Sequence, residues 1–487
     1  MDMTELSWLA IVFLVLHWSA VVAFSVRVIM RRRPVGVLLA WIAMILSVPV
    51  LGILLYLFIG ENRISRTYLR RGLAIREQYE EWRSSLCEEA QIDWSVINAE
   101  ALPIQHQSQS MLGFPAMGGN RLALLTHYEP IFKAIIDDIG RSRSSCHLEF
   151  YIWNAGGLAD RLEAALIQAA GRGVACRLLL DAVGSKPFLR SSSIKTLKAA
   201  GVEIGVVLPT GVFSALFSRA DLRNHRKAVV IDGEIGYTGS QNLVDPRYFK
   251  QDSGVGQWVD AMIRVEGPVV EALAGTFIQD WEIATGTGYR YFRESRDLEC
   301  FERRGEAVTQ LVPSGPQPRP LAILQLVLST IYAARRELIL TTPYFVPDES
   351  VLTALMSAAH SGVEVTLILP EKNDSVLADY ASRSVFDDLL TAGVRIAGFR
   401  GGLLHTKSIT VDGEFSLFGS VNLDMRSLWL NFELSLFVYD TAMTGEIRAL
   451  QLEYLRSSVM IDASTRSNLS VSRRFLENAA HLVAPLL

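Results

Sequence analysis

Two segments of this 487-residue chain carry the same arrangement of chemically active side chains. Both follow the spacing HxKxxxxD, which is His225, Lys227 and Asp232 in the first copy and His405, Lys407 and Asp412 in the second. A histidine and a lysine two residues apart in a strand project from the same face, so both side chains reach one cleft. Two such pairs would surround a phosphodiester with positive charge and place one imidazole on each side of the phosphorus for in-line displacement.

A second motif, GSxN, follows each copy at the same distance. Its polar residues, which we predict to bind or support the phosphate, are Ser240 and Asn242 in the first half and Ser420 and Asn422 in the second. Amide and hydroxyl groups are suitable donors for non-bridging phosphate oxygens. Glycine follows both motif aspartates, which is typical of a hairpin turn. We group Asp232 and Asp412 with the catalytic motif and expect them to act nearby through turn geometry or an ion pair.

The duplication separates this pattern from two simpler interpretations. A single histidine beside a lysine is more often a hydrogen-bonded surface pair, but two copies with matching tails are far rarer by chance. A metal site is disfavoured because the lysines would repel the ion and no third ligand lies at a suitable spacing. The sequence therefore predicts a phosphodiester site without a metal.

The elements around the motifs also repeat. In the first half, apolar segments at 148–153 and 176–181 flank a helical pattern that ends near residue 170, and in the second half segments at 338–345 and 365–369 flank one that ends near residue 359. This order of strand, helix and strand predicts an α/β fold with mixed, mainly parallel sheets covered by helices. We expect two similar lobes in a pseudo-twofold arrangement, over residues 126–300 and 301–487.

Two apolar runs precede the lobes. Residues 6–26 are almost unbroken apolar sequence, and residues 35–59 form a second run of 25 residues without a charge, roughly 37 Å long as a helix. We predict a transmembrane helical hairpin over residues 1–62 and a helical connector over 63–125. A signal peptide is disfavoured because Asp2 and Glu5, rather than basic residues, precede the first run. Arginines at 27 and 31–33 and those at 63–76 favour opposite orientations of the hairpin, so the membrane face of the lobes stays open.

Composition excludes other classes of protein. Hydrophobic residues make up 50% of the chain and the formal net charge is −4, whereas a nucleic-acid-binding protein usually has a strongly basic face. The four cysteines are scattered and form neither a disulfide framework nor a zinc pattern. No nucleic-acid partner is expected.

The doubled HxKxxxxD and GSxN motifs resemble those of the phospholipase D superfamily. Further segments are similar to bacterial cardiolipin synthases, namely LFIGENR at 57–63, NLVDPRYFK at 242–250, TPYFVP at 342–347, GGLLH at 401–405 and NLDMRSLWLNFE at 422–433. The resemblance covers nearly the whole chain. It implies an enzyme of the bacterial cytoplasmic membrane, anchored as a multi-pass protein, whose partners are phosphatidylglycerol, cardiolipin and the lipid bilayer. Whether it forms an oligomer is left open.

The resemblance also implies a mechanism. One motif histidine attacks the phosphorus of phosphatidylglycerol and the other protonates the departing glycerol, which leaves a phosphatidyl-histidine intermediate. A hydroxyl of a second phosphatidylglycerol then attacks the intermediate to give cardiolipin. One phosphodiester replaces another, so the resemblance implies no cofactor. The family pattern assigns His225 as nucleophile and His405 as acid and base, although the nearly symmetric sequence permits the reverse. Asp260 and Glu433 occupy corresponding places after the two GSxN motifs and are the expected orienting carboxylates for the imidazoles. Arg247 and Arg426, each two residues after an aspartate, are either head-group ligands or solvated surface arginines.

Other activities would use the same residues. A phospholipase D-type hydrolase, another phosphatidyltransferase and an anionic-lipid-binding membrane scaffold all remain as alternatives. The first half has an insertion before His225, and its apolar segment at 212–218 is interpreted either as an acyl-chain or membrane-contact lip or as a buried loop. The tail from 470 to 487 is expected to pack against the body.

Overall fold

A computed structural model describes residues 3–31, 35–61, 63–86, 92–209, 219, 221–287, 298, 302–316, 319–467 and 469–482. The segment at 212–218, considered above as a membrane-contact lip, lies outside the described residues. The chain divides into two compact units. The smaller consists of Met1–Arg70 with Thr210–Leu222, and the larger of Arg71–Pro209 with Arg223–Leu487.

The smaller unit is helical. Its elements are α1 (Met3–Ile29), α2 (Val35–Ser47), α3 (Pro49–Leu55), a π-helical turn (Tyr56–Gly60) and the beginning of α4 (Arg66–Ser85). In the described part of the chain, one helix is long and apolar enough to cross a bilayer, over Ile11–Ile29, and the apolar helices Val35–Ser47 and Pro49–Gly60 are shorter.

The prediction of one continuous helix over 35–59 is wrong. The helix breaks at Val48, whose ψ of 73° is not helical, and resumes at Pro49. Proline lacks a backbone N–H and its ring clashes with the preceding turn, so a helix is readily interrupted there. The ring of Tyr56 then contacts that of Trp41 at a centroid distance of 5.3 Å, which shows that α3 folds back beside α2.

The larger unit contains all nineteen strands found among the described residues. They are β1 (Ala116–Thr126), β2 (Ser145–Phe150), β3 (Ala175–Asp181), β4 (Glu203–Val207), β5 (Ala228–Ile231), β6 (Ile235–Gly239), β7 (Trp258–Val259), β8 (Ala261–Glu266), β9 (Ala307–Ser314), β10 (Glu337–Thr341), β11 (Phe345–Val346), β12 (Glu364–Pro370), β13 (Arg395–Phe399), β14 (Leu403–Leu404), β15 (Ser408–Val411), β16 (Phe415–Gly419), β17 (Leu423–Asp424), β18 (Glu433–Val438) and β19 (Ser458–Met460).

Helices cover this sheet. They are α5 (Ala101–Leu112), α6 (Tyr128–Arg141), α7 (Leu158–Gly171), α8 (Lys186–Leu189), α9 (Ser193–Ala199), α10 (Val269–Thr285), α11 (Ala322–Ala333), α12 (Glu349–His360), α13 (Val376–Arg383), α14 (Phe386–Thr391), α15 (Met425–Trp429), α16 (Thr441–Arg456), α17 (Ala463–Ser467) and α18 (Val471–Leu482). The largest apolar cluster packs around β10, β12 and β15, and a corresponding cluster packs around β2, β3 and β5.

Fifteen strands form one sheet in the order β19-β13-β12-β10-β15-β16-β18-β9-β1-β8-β6-β5-β2-β3-β4. Apart from β19, the order reads the same from both ends when each strand is replaced by its counterpart in the other half. The predicted α/β fold with two related halves is therefore confirmed, and the halves join where β9 pairs with β1.

The prediction of a mainly parallel sheet is wrong. Of the fourteen pairings in the large sheet, four are parallel, those of β2 with β3, β3 with β4, β10 with β12 and β12 with β13. These are the strands of the predicted βαβ units. The motif strands form antiparallel hairpins instead, β5 with β6 and β15 with β16. Both hairpins turn at an Asp-Gly pair with positive φ at both residues, which matches the twist of the flanking strands.

The C-terminal tail packs on the body in its described part. Helix α18 contacts α13, and Ala480 is buried against Ala378 and Ala381.

Candidate active site

The two HxK segments lie just before β5 and β15, at corresponding places in the two halves. His225 and Lys227 precede the strand rather than lying inside it, and both are buried; the same is true of His405 and Lys407. The strand starts later than the sequence predicted because the residues before it pair across to the other half of the unit.

That pairing interlocks the halves through the backbone. The amide of His225 donates to the carbonyl of Phe432 at 2.8 Å, and the amide of His405 donates to the carbonyl of Val259 at 2.8 Å. Strand β14, next to His405, also pairs in parallel with β7, next to Asp260. The backbone of each motif is thus fixed by the other half, which brings the two predicted motif sites into one region.

Each imidazole is oriented by a carboxylate from the opposite half. His225 Nδ1 lies 2.9 Å from Glu433 Oε2, and His405 Nδ1 lies 2.6 Å from Asp260 Oδ1. The sequence predicted these two carboxylates as partners but not the exchange between halves. With Nδ1 occupied by a carboxylate, Nε2 is the ring nitrogen left to react or carry a proton.

The serines of the GSxN motifs hold these carboxylates. Ser240 Oγ donates to Asp260 Oδ1 at 2.6 Å, and Ser420 Oγ donates to Glu433 Oε2 at 2.5 Å. Each serine thereby connects its own half to the imidazole of the other half. This is a supporting role, as predicted for Ser240 and Ser420, but it is directed at the carboxylate.

Burial dominates the titration of the imidazoles. It lowers the pKa of His225 to about 4, against the opposing effect of Glu433 and with a further lowering by Lys227. It also lowers the pKa of His405 to about 4, with help from Lys407 and against Asp260. Lys407 also lowers the pKa of His225 and Lys227 also lowers that of His405, so each imidazole is subject to the positive charge of both motif lysines. A bound anion would offset this excess of positive charge and favour protonation of one imidazole.

The two lysines are buried beside their own histidines. Lys227 Nζ donates to the carbonyl of His225 at 2.6 Å, and Lys407 Nζ donates to the carbonyl of His405 at 2.5 Å. Burial lowers the pKa of Lys407 to about 7 and that of Lys227 well below its ordinary value, although Asp260 and Glu433 oppose the shift. A buried ammonium with incomplete compensation is an electrostatic site for an anion.

The two GSxN asparagines differ in their contacts. Asn242 accepts a hydrogen bond from the Ile152 amide through Oδ1 at 3.1 Å, while its Nδ2 is buried and has no partner among the described residues. At Asn422 it is Oδ1 that is buried and unpartnered within the described chain. A buried unpaired N–H group is costly, so Asn242 Nδ2 is suited to donate to a bound oxyanion.

The motif aspartates lie at the other end of the motif strands. Asp232 accepts hydrogen bonds from the backbone amides of residues 143–145 at 2.7–2.9 Å, and Asp412 accepts those of residues 335–337 at 2.7–3.0 Å. The structure does not bring these carboxylates to the imidazoles. The positions of Asp232 and Asp412 therefore do not support a catalytic role. They support the expected role in turn geometry.

The two candidate head-group arginines have different surroundings. Arg247 forms a two-pronged contact with Asp245, at 2.9 and 2.7 Å, and lies over the ring of Tyr128. Arg426 is half-buried, and its charge acts on Tyr151, whose ring contacts His225. These surroundings do not test head-group binding, so both assignments stay predictions.

Aromatic rings adjoin both imidazoles and were not identified from the sequence. Tyr151 meets His225 edge-on at a centroid distance of 5.1 Å, and Trp258 lies over His405 at 4.3 Å. Tyr151 directly follows β2 and Trp258 begins β7. Their places in or next to strand-like sequence were the one feature that could have indicated a position at the site. Each of these rings packs against one imidazole.

The two residues next to His225 in the sequence, Asn224 and Arg226, take part in a buried set of polar and ionic contacts. Arg226 contacts Asp280 through Nη1 and donates through Nε to the carbonyl of Glu433 at 3.2 Å. Asn224 donates to Glu149, whose pKa is raised well above its ordinary value by burial and by the nearby charge of Asp280. In the second half Thr406 occupies the place of Arg226 and contacts the hydroxyl of Tyr454 at 3.1 Å.

A different network borders His405. The hydroxyl of Tyr344 donates to Asp374 at 2.7 Å, and Lys250 Nζ donates to the other oxygen of Asp374 at 2.8 Å. The ammonium of Lys250 lies 5.5 Å from the ring centre of Trp258. No spacing in the sequence marks this group, because its members come from separate loops. Within the described residues, no cluster of three or more His, Cys, Asp or Glu side chains suits a metal ion.

The chain is similar to known proteins over nearly its whole length. The family described as cardiolipin synthase, PLD-like domain, matches residues 135–281 and 327–452, and a family described as phospholipase D-nuclease N-terminal matches residues 20–61. Cardiolipin synthase A of Yersinia pseudotuberculosis is 41% identical over 485 residues, covering 99% of both chains. Cardiolipin synthase A of Pectobacterium carotovorum is 40% identical with the same coverage.

The fold also has a solved counterpart. A crystal structure of phosphatidylserine synthase from Haemophilus influenzae superimposes with a TM-score of 0.57, at 13% identity, over 79% of this chain and 100% of that one. The fold, the duplicated motifs and the full-length similarity place this chain in the cardiolipin synthase family of phospholipase D-like proteins.

Proposed function

We propose that the protein is a cardiolipin synthase that transfers a phosphatidyl group from one phosphatidylglycerol to another. The observation that carries the proposal is the pair of buried imidazoles, each oriented at Nδ1 by a carboxylate of the other half and each near both motif lysines. Such a site is symmetric about a bound phosphorus and serves two successive displacements. Family membership supports a lipid phosphodiester as the substrate.

In the first displacement, Nε2 of His225 attacks the phosphorus of phosphatidylglycerol. The bond from phosphorus to the glycerol oxygen breaks, and His405 gives its proton to that oxygen, so that glycerol leaves. A phosphatidyl group is then bonded to His225. Glu433 stabilises the positive charge that develops on the attacking ring, and the lysines with Asn242 stabilise the non-bridging oxygens.

In the second displacement, His405 accepts the proton of a hydroxyl group on a second phosphatidylglycerol. That oxygen attacks the phosphorus, the bond to His225 breaks, and cardiolipin forms. One phosphodiester replaces another, so the reaction requires no nucleotide. Both imidazoles return to their starting protonation states.

Water competes with the second lipid for the intermediate. Hydrolysis would give phosphatidate, as in the phospholipase D-type alternative. The buried imidazoles and the rings of Tyr151 and Trp258 favour a site poor in water. These features favour transfer, and product analysis distinguishes the two activities.

The chain is organised for work at a bacterial membrane. We propose a membrane-anchoring segment over residues 1–62, a connector over 63–125 that also supplies β1, and two catalytic lobes over 126–300 and 301–487. The apolar surface of the N-terminal helices supports the anchor, since residues such as Phe13, Leu16 and Val50 are more than half exposed in the isolated chain.

The test uses purified full-length protein and labelled phosphatidylglycerol as the sole lipid. Wild type should yield labelled cardiolipin and free glycerol in equal amounts, and His225→Ala should form both at least about 10³-fold more slowly. Phosphatidate with glycerol as the main products would favour the hydrolase. Lipid binding with no turnover in wild type would favour the scaffold.

A further inference from the structure

The N-terminal unit contains a conflict between its sequence and a two-crossing anchor. Basic residues follow both apolar runs, Arg27 and Arg31 after the first and Arg63 and Arg66 after the second. Positively charged segments favour the cytoplasmic side. Two straight crossings would force one of the two basic segments to the outer side.

In the structure, the C-terminal ends of the two apolar runs lie beside each other. Glu61, which follows the second run, is buried and accepts hydrogen bonds from Arg27 at 2.7 and 2.9 Å. Arg31 lies 3.4 Å from the same carboxylate. The end of the second run is therefore beside the end of α1, whereas in a two-crossing hairpin it would be beside the start of α1.

The second run returns because it bends in its middle. The break at Val48 and Pro49 separates two helical arms of 13 and 12 residues, about 20 Å and about 18 Å long, each too short for a hydrocarbon core of about 30 Å. A side chain on Gly52 would lie 2.7 Å from the carbonyl oxygen of Met44, so the arms meet where only glycine fits.

Some backbone groups at the bend keep partners, which a lipid environment favours. The amide of Val48 donates to Met44 at 3.0 Å, that of Gly52 donates to Val48 at 2.7 Å, and Pro49 has no N–H to satisfy. Leu46, Val48, Val50 and Leu51 around the bend are half exposed or more, which suits contact with acyl chains. Tyr56 is buried in the seam and donates its hydroxyl to Glu61 at 2.9 Å.

We infer that α1 crosses the membrane once and that residues 35–60 form a re-entrant helical hairpin that enters and leaves on one side. Both basic segments then lie on the cytoplasmic side, and the chain continues from there into the catalytic unit. The inference replaces the expected multi-pass anchor and assigns the catalytic lobes to the cytoplasmic face. It rests on the apolar helices and their contacts, and it does not depend on the reaction catalysed.

The test compares the two termini of the full-length chain in right-side-out spheroplasts. An epitope before residue 1 should be digested by external protease, while an epitope after residue 487 should be protected until the membrane is opened. Termini on the same side would overturn the single crossing. A C-terminal epitope exposed outside would overturn the orientation.

A pair of glycine variants tests the bend itself. Gly52→Leu should prevent the arms from meeting and should either move the N-terminal epitope inside or reduce accumulation of the protein several-fold. Gly36→Leu is the matched control, because a side chain there meets nothing within 4 Å. Wild-type behaviour of both variants would overturn the folded-back arrangement.

A second, independent observation concerns α18, which buries a charged side chain and exposes several large apolar ones. Its charged residue Glu477 is 2% exposed and pairs with Arg466 and Arg473, whereas Val471 and Phe475 are 85% and 70% exposed. Leu476 and Leu482 continue the outward apolar face. A surface helix in water normally presents the opposite faces.

The neighbouring surface has the character of a lipid contact. Helix α13 packs beside α18 and exposes Val376 and Leu377, two and three residues after Asp374, which lies in the network bordering His405. Exposed Lys372 and Arg474 accompany these apolar side chains. Apolar residues edged by cations suit an anionic lipid surface.

We propose that this α13–α18 surface rests on the anionic bilayer and presents the catalytic site to lipid. The proposal rests on the proposed function for its purpose, but its primary test does not require turnover. In vesicles of brominated phosphatidylglycerol, Phe475→Trp should add fluorescence that the bromine quenches. Val96→Trp, also at an exposed position, should add fluorescence that is not quenched.

Activity provides the second readout. Phe475→Glu should raise the KM for phosphatidylglycerol in bilayers about tenfold and leave the rate on dispersed short-chain lipid unchanged, with Val96→Glu as control. Unquenched fluorescence from the Phe475→Trp variant would overturn the proposal whether or not the enzyme turns over. The proposal would also be overturned if, without lipid, the introduced indole became shielded from solvent as the protein concentration rose. That result would indicate that a second copy of the chain covers this surface.

Discussion

The two halves of the site agree in the groups that would surround a phosphate and differ in what lies behind them. Each half supplies an imidazole, a buried ammonium and a serine-held carboxylate for the opposite imidazole. Behind His225, however, is the ion pair of Arg226 with Asp280, and behind His405 is the neutral contact of Thr406 with Tyr454. The two halves therefore share the groups that would contact a phosphate on either side. They differ in the residues behind those groups, where the reaction does not require the halves to be alike.

The exchange of carboxylates gives the largest expected effect. Glu433→Gln should disable His225, and Asp260→Asn should disable His405, each lowering kcat by about 10²–10⁴-fold because the ring loses its tautomer and the stabilisation of its charge. Initial rates of cardiolipin formation measure this. Glu271→Gln, a buried carboxylate bonded to Trp82, is the control and should keep the wild-type rate.

The pairing of each carboxylate with the imidazole of the opposite half is tested by combining variants. On a His225→Asn background, Glu433→Gln should cause little further loss, because its partner ring is already absent. Asp260→Asn on the same background should still lower any residual rate. If Glu433→Gln reduced the residual rate by its full factor, the assignment of carboxylates to opposite imidazoles would be wrong.

The ionic group behind His225 should matter more for stability than its neutral counterpart. Arg226→Met leaves Asp280 buried without a counter-charge and should lower the free energy of unfolding by about 3–5 kcal/mol. Thr406→Val removes one hydroxyl contact and should cost about 1 kcal/mol. Thermal unfolding of the purified proteins compares them, and equal losses would show that the two surroundings are equivalent.

The motif aspartates should behave alike in both halves, as structural residues. Asp232→Ala and Asp412→Ala each leave three backbone amides without an acceptor and should reduce stability by about 1–3 kcal/mol. At a temperature where they are folded, kcat should stay within about tenfold of wild type. Asp232→Asn, which keeps an acceptor and tolerates the positive φ, is the milder control. A loss of kcat with unchanged thermal stability would return these aspartates to the catalytic group.

The smallest effect is a shift in a pH profile. The pKa of Lys407 is about 7, so its ammonium is present below that pH and is lost as the pH rises through it. Because kcat/KM reports the free enzyme, it should fall above about pH 7. Lys407→Arg should move this alkaline limb upward, since guanidinium stays charged. An alkaline limb unaffected by Lys407→Arg would assign it to another group.

Much of the site followed from spacing in the sequence. The duplicated HxK and GSxN motifs identified the two imidazoles and lysines, and correspondence between the halves identified Asp260 and Glu433. Sequence could not show that these carboxylates cross between halves, because that depends on backbone pairing such as His225 with Phe432. It also missed Asp374, since that residue comes from a loop with no counterpart in the motif pattern.

The fold was predictable in its parts more than in its assembly. Alternation of strands and helices indicated the βαβ units, but it did not indicate the antiparallel pairings that outnumber the parallel ones in the sheet, among them the hairpins at Asp232-Gly233 and Asp412-Gly413. Apolar length suggested a second membrane crossing over 35–59. Hydropathy does not register the bend at Pro49, and the contact of Trp41 with Tyr56 is visible only in three dimensions.

The central claim is that one imidazole carries the phosphatidyl group while the other transfers protons. The most direct measurement is mass spectrometry of His405→Asn protein after brief incubation with phosphatidylglycerol and acid-free proteolysis. We expect a phosphatidyl adduct on the peptide containing His225 and none on His225→Asn protein with His405 intact. An adduct on His405 would reverse the two roles, and the absence of any histidine adduct under conditions where wild type forms cardiolipin would contradict the account.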